Sequence, residues 1–145
     1  MKASFFLIFI AIIYGNINAQ IVEHIISTTY VEAGSIFAAD FDGDGDMDVL
    51  SASTGGNSID WWGNLDGFGN FGPQQNITTN VDRCYQILAA DVNGDGWMDV
   101  LSVSREDDKL AWYENTDGLG TFGPQQLITA QANVDGARFV DCGVI

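Results

Sequence analysis

Basic residues are what this sequence has least of: five Lys and Arg stand against twenty Asp and Glu, giving a net charge of −15. That balance excludes a nucleic-acid partner, because holding a phosphate backbone needs clustered cations. Histidine occurs once, as His24. No nucleophile–base arrangement can be built around it, and zinc or another soft metal would lack nitrogen ligands. Cysteine occurs twice, as Cys84 and Cys142, which permits one bridge but does not demand it. Long apolar runs are also scarce. The clear one is Phe5 to Tyr14, shorter than the roughly 20 residues a spanning helix needs. Lys2 precedes it, and Asn16, Asn18 and the small Ala19 follow, which is the order of a secretory signal peptide. We assign residues 1–19 to a removable leader and expect a secreted protein, extracellular or at the cell surface, with no membrane span once the leader is gone.

What the mature chain does have is acid in particular places and enough apolar residues to fold. Its 46% hydrophobic and 12% aromatic content argue against the disorder that an acidic composition otherwise suggests. Ala38 to Ser53, AADFDGDGDMDVLSAS, returns as Ala89 to Ser104, AADVNGDGWMDVLSVS, and Phe71 to Gln75 returns as Phe122 to Gln126. Both pairs are 51 residues apart, and Trp61/Trp112, Asn64/Asn115 and Asp66/Asp117 hold the same register. A duplicated unit of this length points to a repeat architecture. The predicted organisation is a lead-in with an N-terminal strand over residues 20–34, repeats over 35–85 and 86–136, and the start of a third copy over 137–145. Asp141 takes the first acidic position of that copy before the sequence stops, which reads as a fragment. Cys84 and Cys142 sit at different offsets within the repeat.

Within each unit the pattern predicts four short strands. Ile36 to Asp40 and Ile87 to Asp91 are apolar runs of the kind found in buried strands. Val49 to Ser53 and Val100 to Ser104 alternate apolar and small polar residues, as strands with one buried face do. Ser58 to Trp62 and Lys109 to Tyr113 are richer in aromatics. Phe71 to Thr78 and Phe122 to Thr129 complete the set, with Pro73 and Pro124 marking an outer edge because proline cannot donate to a ladder. Asp66-Gly67 and Asp117-Gly118 read as hairpin turns. Four strands per repeat of about fifty residues describe a β-propeller blade, so the fold class is all-β, an incomplete propeller of two antiparallel blades and the start of a third.

The chemistry lies in two acidic loops. Asp40, Asp42, Asp44, Asp46 and Asp48 alternate with other residues, and the second loop places Asp91, Asn93, Asp95, Trp97 and Asp99 at the same positions. So many adjacent carboxylates repel one another unless a hard cation relieves them. Calcium takes six to eight oxygens, whereas magnesium keeps several waters. Gly43, Gly45, Gly94 and Gly96 let the chain curl so that alternate side chains converge. Since Trp97 replaces Asp46, the seventh position is assigned a ligand through its backbone carbonyl. The others ligate by side chain, giving about two structural Ca2+ sites. An EF-hand begins similarly but needs an acid at position twelve and flanking helices. Position twelve is Ser51 or Ser102, and a strand pattern follows directly.

The pattern D-x-[DN]-G-D-G-x-x-D leading into a strand, with the later stretch from Asn64 to Phe71, resembles the FG-GAP/VCBS repeat. That family includes the propeller of integrin α subunits and many secreted bacterial proteins. The resemblance spans Ser35 to Thr129. It implies calcium held in the loops and a propeller face or rim that binds protein or carbohydrate, as in adhesion. Family propellers close with about seven blades, so two blades imply open faces and possible self-association through them. The sequence therefore points to a non-enzymatic binding module. The alternative is the propeller portion of a secreted polysaccharide-active enzyme, or a lectin. Trp61 and Trp112 recur in register and are expected between blades, while Trp62 and Tyr113 stay open as sugar-stacking candidates. Asn76-Ile77-Thr78 is a glycosylation sequon if the host is eukaryotic.

Overall fold

A computed structural model describes residues 23–129 as eight strands without a helix. The proposed leader, the third-copy residues 137–145 and Cys142 lie outside the described residues. The strands are β1 (Ala33–Ala39), β2 (Asp48–Ser53), β3 (Ser58–Trp62), β4 (Gln75–Thr78), β5 (Cys84–Ala90), β6 (Asp99–Ser104), β7 (Lys109–Tyr113) and β8 (Gln126–Thr129). They form two four-stranded antiparallel sheets in the orders β1-β2-β3-β4 and β5-β6-β7-β8. Each repeat thus folds as a meander of neighbours, the blade the pattern predicts, and the second blade repeats the register of the first. Leu50 pairs with Phe37 and Trp61, and Leu101 with Leu88 and Trp112.

The strand ends and burial differ from expectation in ways that have local causes. β2 and β6 alternate apolar and small residues, yet all six residues of each are buried. Both strands run through the middle of a blade that is covered on its two faces. The serines are small enough to enter, and three of the four find acceptors: Ser51 Oγ donates to Ser35 O at 3.2 Å, Ser53 Oγ to Val31 O and Ser104 Oγ to Asp107, while Ser102 Oγ is buried without a partner among the described residues. Ile36 and Phe37 of β1 were expected inside but are 41% and 36% exposed, whereas Ile87 and Leu88 of β5 are buried. β5 packs against β1 of the preceding blade, a cover that β1 lacks among the described residues. Pro73 and Pro124 fall outside β4 and β8. Phe71 and Phe122 make isolated bridges to Asn64 and Asn115, the ladder lapses at the prolines, and pairing resumes at Gln75 and Gln126. β4 and β8 are edges, as predicted. Asp66-Gly67 belongs to a wider turn than a two-residue hairpin, closed by Leu65 N–H donating to Asn70 O at 3.0 Å.

The core lies between the blades. Phe41, following β1, sits with its ring 6.0 Å from those of Trp61 and Phe122. Trp61 lies so close to Gly120 of the second blade that a Cβ there would approach its ring to 2.1 Å, so residue 120 must be glycine. The other face of the first blade is covered by the lead-in. Tyr30 stands edge-on to Trp62 at 5.3 Å and donates its hydroxyl to Ser51 O at 2.9 Å. Val81, 51 residues further on, is buried in the matching place before the second blade. Trp62 and Tyr113 are therefore buried and are not free to stack on a sugar. Trp61 is buried between blades as expected, but Trp112 is only half-buried. Cys84 is buried, and burial pushes its thiol up to about 12. The sequon residue Asn76 is exposed, with its amide donating to Asp60 Oδ1 at 2.8 Å.

Phe41 and its counterpart Val92 offer a direct test of the stacking. Phe41 is 1% exposed and Val92 44%. Phe41→Ala should cost about 3 kcal/mol in urea unfolding, while Val92→Ala should stay within about 0.5 kcal/mol. Equal costs would show that the blades do not pack through residue 41.

Candidate metal centre

Each acidic loop links the inner strand of its blade to the next strand, β1 to β2 and β5 to β6. Its shape is fixed by aspartate side chains that accept from their own backbone. Asp40 Oδ1 accepts from Gly43 N–H at 2.7 Å and Oδ2 from Gly45 N–H at 3.0 Å. Asp91 repeats this with Gly94 and Gly96 at 2.7 and 2.9 Å. Gly43, Gly45, Gly94 and Gly96 all have φ between 77° and 92°, a left-handed backbone that other residues adopt only with strain. Further along, Asp42 accepts from Asp44 N–H and Asp44 from Asp46 N–H, while Asn93 accepts from Asp95 N–H and Asp95 from Trp97 N–H.

The ninth residue closes the loop from inside the protein. Asp48 and Asp99 are fully buried. One oxygen of Asp48 accepts from Phe41 N–H and the other from Asn64 N–H, both at 2.8 Å. Asp99 does the same with Val92 at 3.1 Å and Asn115 at 2.8 Å. Asn64 and Asn115 extend the network. Their amides donate to Met47 O and Met98 O, and their oxygens accept from Gly69 and Gly118 N–H. These two asparagines belong to the site's scaffold. Sequence reasoning saw them only as register markers, although their recurrence at 51 residues was the available signal.

In the first loop, oxygens of Asp40, Asp42 and Asp48 come within 4.8 Å of one another. Asp44 is not part of that trio. Asp46 lies over Gly67, where an added Cβ would meet its carboxylate at 2.6 Å, and Trp97 lies over Gly118 in the same manner. The seventh side chain therefore rests on the neighbouring turn in both repeats, as fits a role for its backbone carbonyl. In the second loop Asp91, Asp95 and Asp99 do not form a comparable trio among the described residues. Asn93 occupies the place of Asp42, its amide donating to Asp95 Oδ2 at 2.8 Å and to Glu114 Oε1 at 3.3 Å.

Burial and mutual repulsion both disfavour the charged forms of two carboxylates in the first loop. Burial raises the Asp48 carboxyl to about 6 against the backbone donors that oppose it, with the charges of Asp42 and Asp44 adding to the rise. Asp42 is raised as well, first by burial and then by Asp44 and Asp40. A divalent ion would reverse both shifts by favouring the charged form. The donors are all oxygen and include no thiol or imidazole, which fits calcium.

A family model for the FG-GAP-like repeat matches residues 40–102 and again 91–142. The chain belongs to the FG-GAP-like repeat family. Each match opens on the first aspartate of an acidic loop: the first runs through β2, β3, β4 and β5 into β6, and the second takes in β6, β7 and β8 before passing beyond the described residues. No curated protein matches the chain.

The buried carboxylates have a structural duty separable from metal. Asp48→Ala leaves two buried N–H groups without acceptors, and Asp99→Ala one buried and one part-buried; the first should cost about 3 kcal/mol in denaturant unfolding even with a chelator present, the second somewhat less. A loss seen only in calcium would mean that these aspartates act purely as ligands.

Proposed function

We propose that this FG-GAP-like repeat protein is a secreted, calcium-stabilised binding module of the adhesion type, with structural Ca2+ in both acidic loops. The observation that carries the reading is the convergence of Asp40, Asp42 and Asp48 to within 4.8 Å, on a loop whose curvature is already set by its own hydrogen bonds. Asp44, Asp46 through its carbonyl, and in the second loop Asp91, Asn93, Asp95, Trp97 through its carbonyl and Asp99 complete the proposed ligand sets. Extracellular modules bind calcium at about 0.1–1 mM. At ten times the dissociation constant, each site adds about 1.4 kcal/mol, a real share of a small fold's stability.

The partner is an extracellular protein or carbohydrate, and the module does not catalyse a reaction. A carboxylate held by calcium stays ionised and is a poor general acid. His24 is exposed and lies against Gly69 of a turn. With Trp62 and Tyr113 buried, Trp97 is among the aromatics still open to a partner. It is 40% exposed and lines a groove of ≈ 430 Å³ with Phe37, Met47 and Met98 between the two loops.

Calcium titration of the full chain, followed by tryptophan emission, tests the metal reading, because Trp97 N–H donates to Asp95 in the second loop. A saturable change at about 0.1–1 mM, absent with magnesium, is expected. Asp44→Ala and Asp95→Ala should lower the melting temperature in calcium and leave it nearly unchanged in chelator. No emission change in a chain that circular dichroism shows to be folded β-sheet would refute the metal reading.

A further inference from the structure

We infer that the groove between the two acidic loops takes an arginine side chain of an extracellular protein partner. The inference rests on the binding-module reading above and narrows its partner from protein or carbohydrate to protein. The groove measures ≈ 430 Å³, and its walls include Phe37, Met47, Trp97 and Met98. Those four side chains are between 36% and 54% exposed, an apolar patch open to solvent on a strongly acidic chain. Such patches mark interaction sites, and Trp and Met are enriched in them. Trp97 presents a fixed ring there, since it rests closely on Gly118 and its N–H donates to Asp95 at 2.9 Å.

Charge decides the occupant. The first loop carries five aspartates and the second three, so a divalent ion in each still leaves both sides of the groove negative. The cations stand at the other end of the second blade. Arg83 pairs with Glu106 at 3.8 Å, Lys109 with Asp107 at 2.9 Å, and Arg105 lies over Tyr85 at 5.7 Å. These three residues mark the start of β5, the end of β6 and the start of β7, opposite the acidic loop that joins β5 to β6. Among the described residues no Lys or Arg stands at the loop end, where His24 lies against Gly69. The complementary charge therefore comes from a partner. A long cationic side chain satisfies both parts of the groove: its stem covers the methionines, and its head meets the Trp97 ring with aspartates around it. Arginine suits the place better than lysine, because a planar and weakly hydrated guanidinium stacks on an aromatic face. A neutral sugar would use the ring and gain nothing from the acid.

The test titrates the full chain, in excess calcium, with a blocked leucine–arginine–leucine peptide. Binding is read from the Trp97 indole and the Met47 and Met98 methyl resonances. Saturable shifts confined to the groove are expected, with roughly tenfold weaker binding when neutral citrulline replaces the arginine. Trp97→Ala, which keeps the carbonyl of residue 97, should weaken the peptide roughly fivefold. Met47→Lys, at an exposed position, should abolish binding while the remaining resonances report an intact fold. Equal binding of the arginine and citrulline peptides, or shifts spread over the acidic surface, overturns the assignment. So does a neutral glucan oligomer that moves the same resonances more tightly than the peptide. A chain that saturates with calcium yet ignores the peptide also overturns it and leaves the metal reading standing. Peptide binding in the groove of a folded chain that takes up no calcium upholds the assignment and removes the metal reading alone.

Discussion

The structure depends on two buried carboxylates. Asp48 and Asp99 are inaccessible to water, and each spends both oxygens on backbone N–H groups from opposite sides of its blade. One donor is the residue that opens the acidic loop, the other the asparagine just beyond the third strand. Such charge-assisted bonds are stronger than neutral ones, and they settle where the loop begins, where it ends and which strand it lies against. A buried negative charge is costly unless paired, and the backbone donors offset only part of that cost, as the raised Asp48 carboxyl shows. The remainder is what a cation in the loop would supply. In the proposed reading, fold and metal site are two uses of the same side chain.

Stacking is the second constraint, and it acts unequally on two nearly identical units. A blade has two broad faces, and each must be covered by something apolar. The second blade receives Phe41 and Trp61 from the first, and Ile87 joins the core cluster they form. The first blade receives the lead-in instead, with Tyr30 closing over Trp62. Equivalent positions thus have different burial because their neighbours differ. Phe41 against Val92, Trp61 against Trp112 and Ile36 against Ile87 are the clearest cases. Nearest-neighbour dependence of this kind is characteristic of repeat proteins.

That inequality also explains what could be read in the sequence. The period of 51 residues, the four strands of each blade, the edge position of the last strand and the loop positions were legible. Each leaves a local signature: recurrence, alternation, a proline or spaced aspartates with glycine. The exposure of Ile36 and Phe37 and the burial of Trp62 and Tyr113 were not, because a period shows which residues are equivalent and not which have a covering neighbour. The point at which β4 resumes after Pro73 likewise depends on the Asn64–Phe71 bridge, a pairing across seven residues that the strand pattern does not specify.

Phe41 joins these constraints into one. Its N–H binds the loop-closing Asp48, its ring fills the space between blades beside Trp61 and Phe122, and its carbonyl accepts from Asn115 of the second blade at 2.9 Å. Asn115 in turn donates its own N–H to Asp99. A continuous path of hydrogen bonds therefore runs from the first loop's carboxylate, through residue 41, to the second loop's carboxylate. Whatever steadies Asp48 steadies the place where the blades meet, so free energy gained in the loop also serves the stacking. Val92 makes the bond to Asp99 but, among the described residues, has no neighbouring blade to cover its side chain. The coupling therefore belongs to a pair of adjacent repeats. A single repeat retains its loop and its strands but has no partner across which the carboxylate clamp can act.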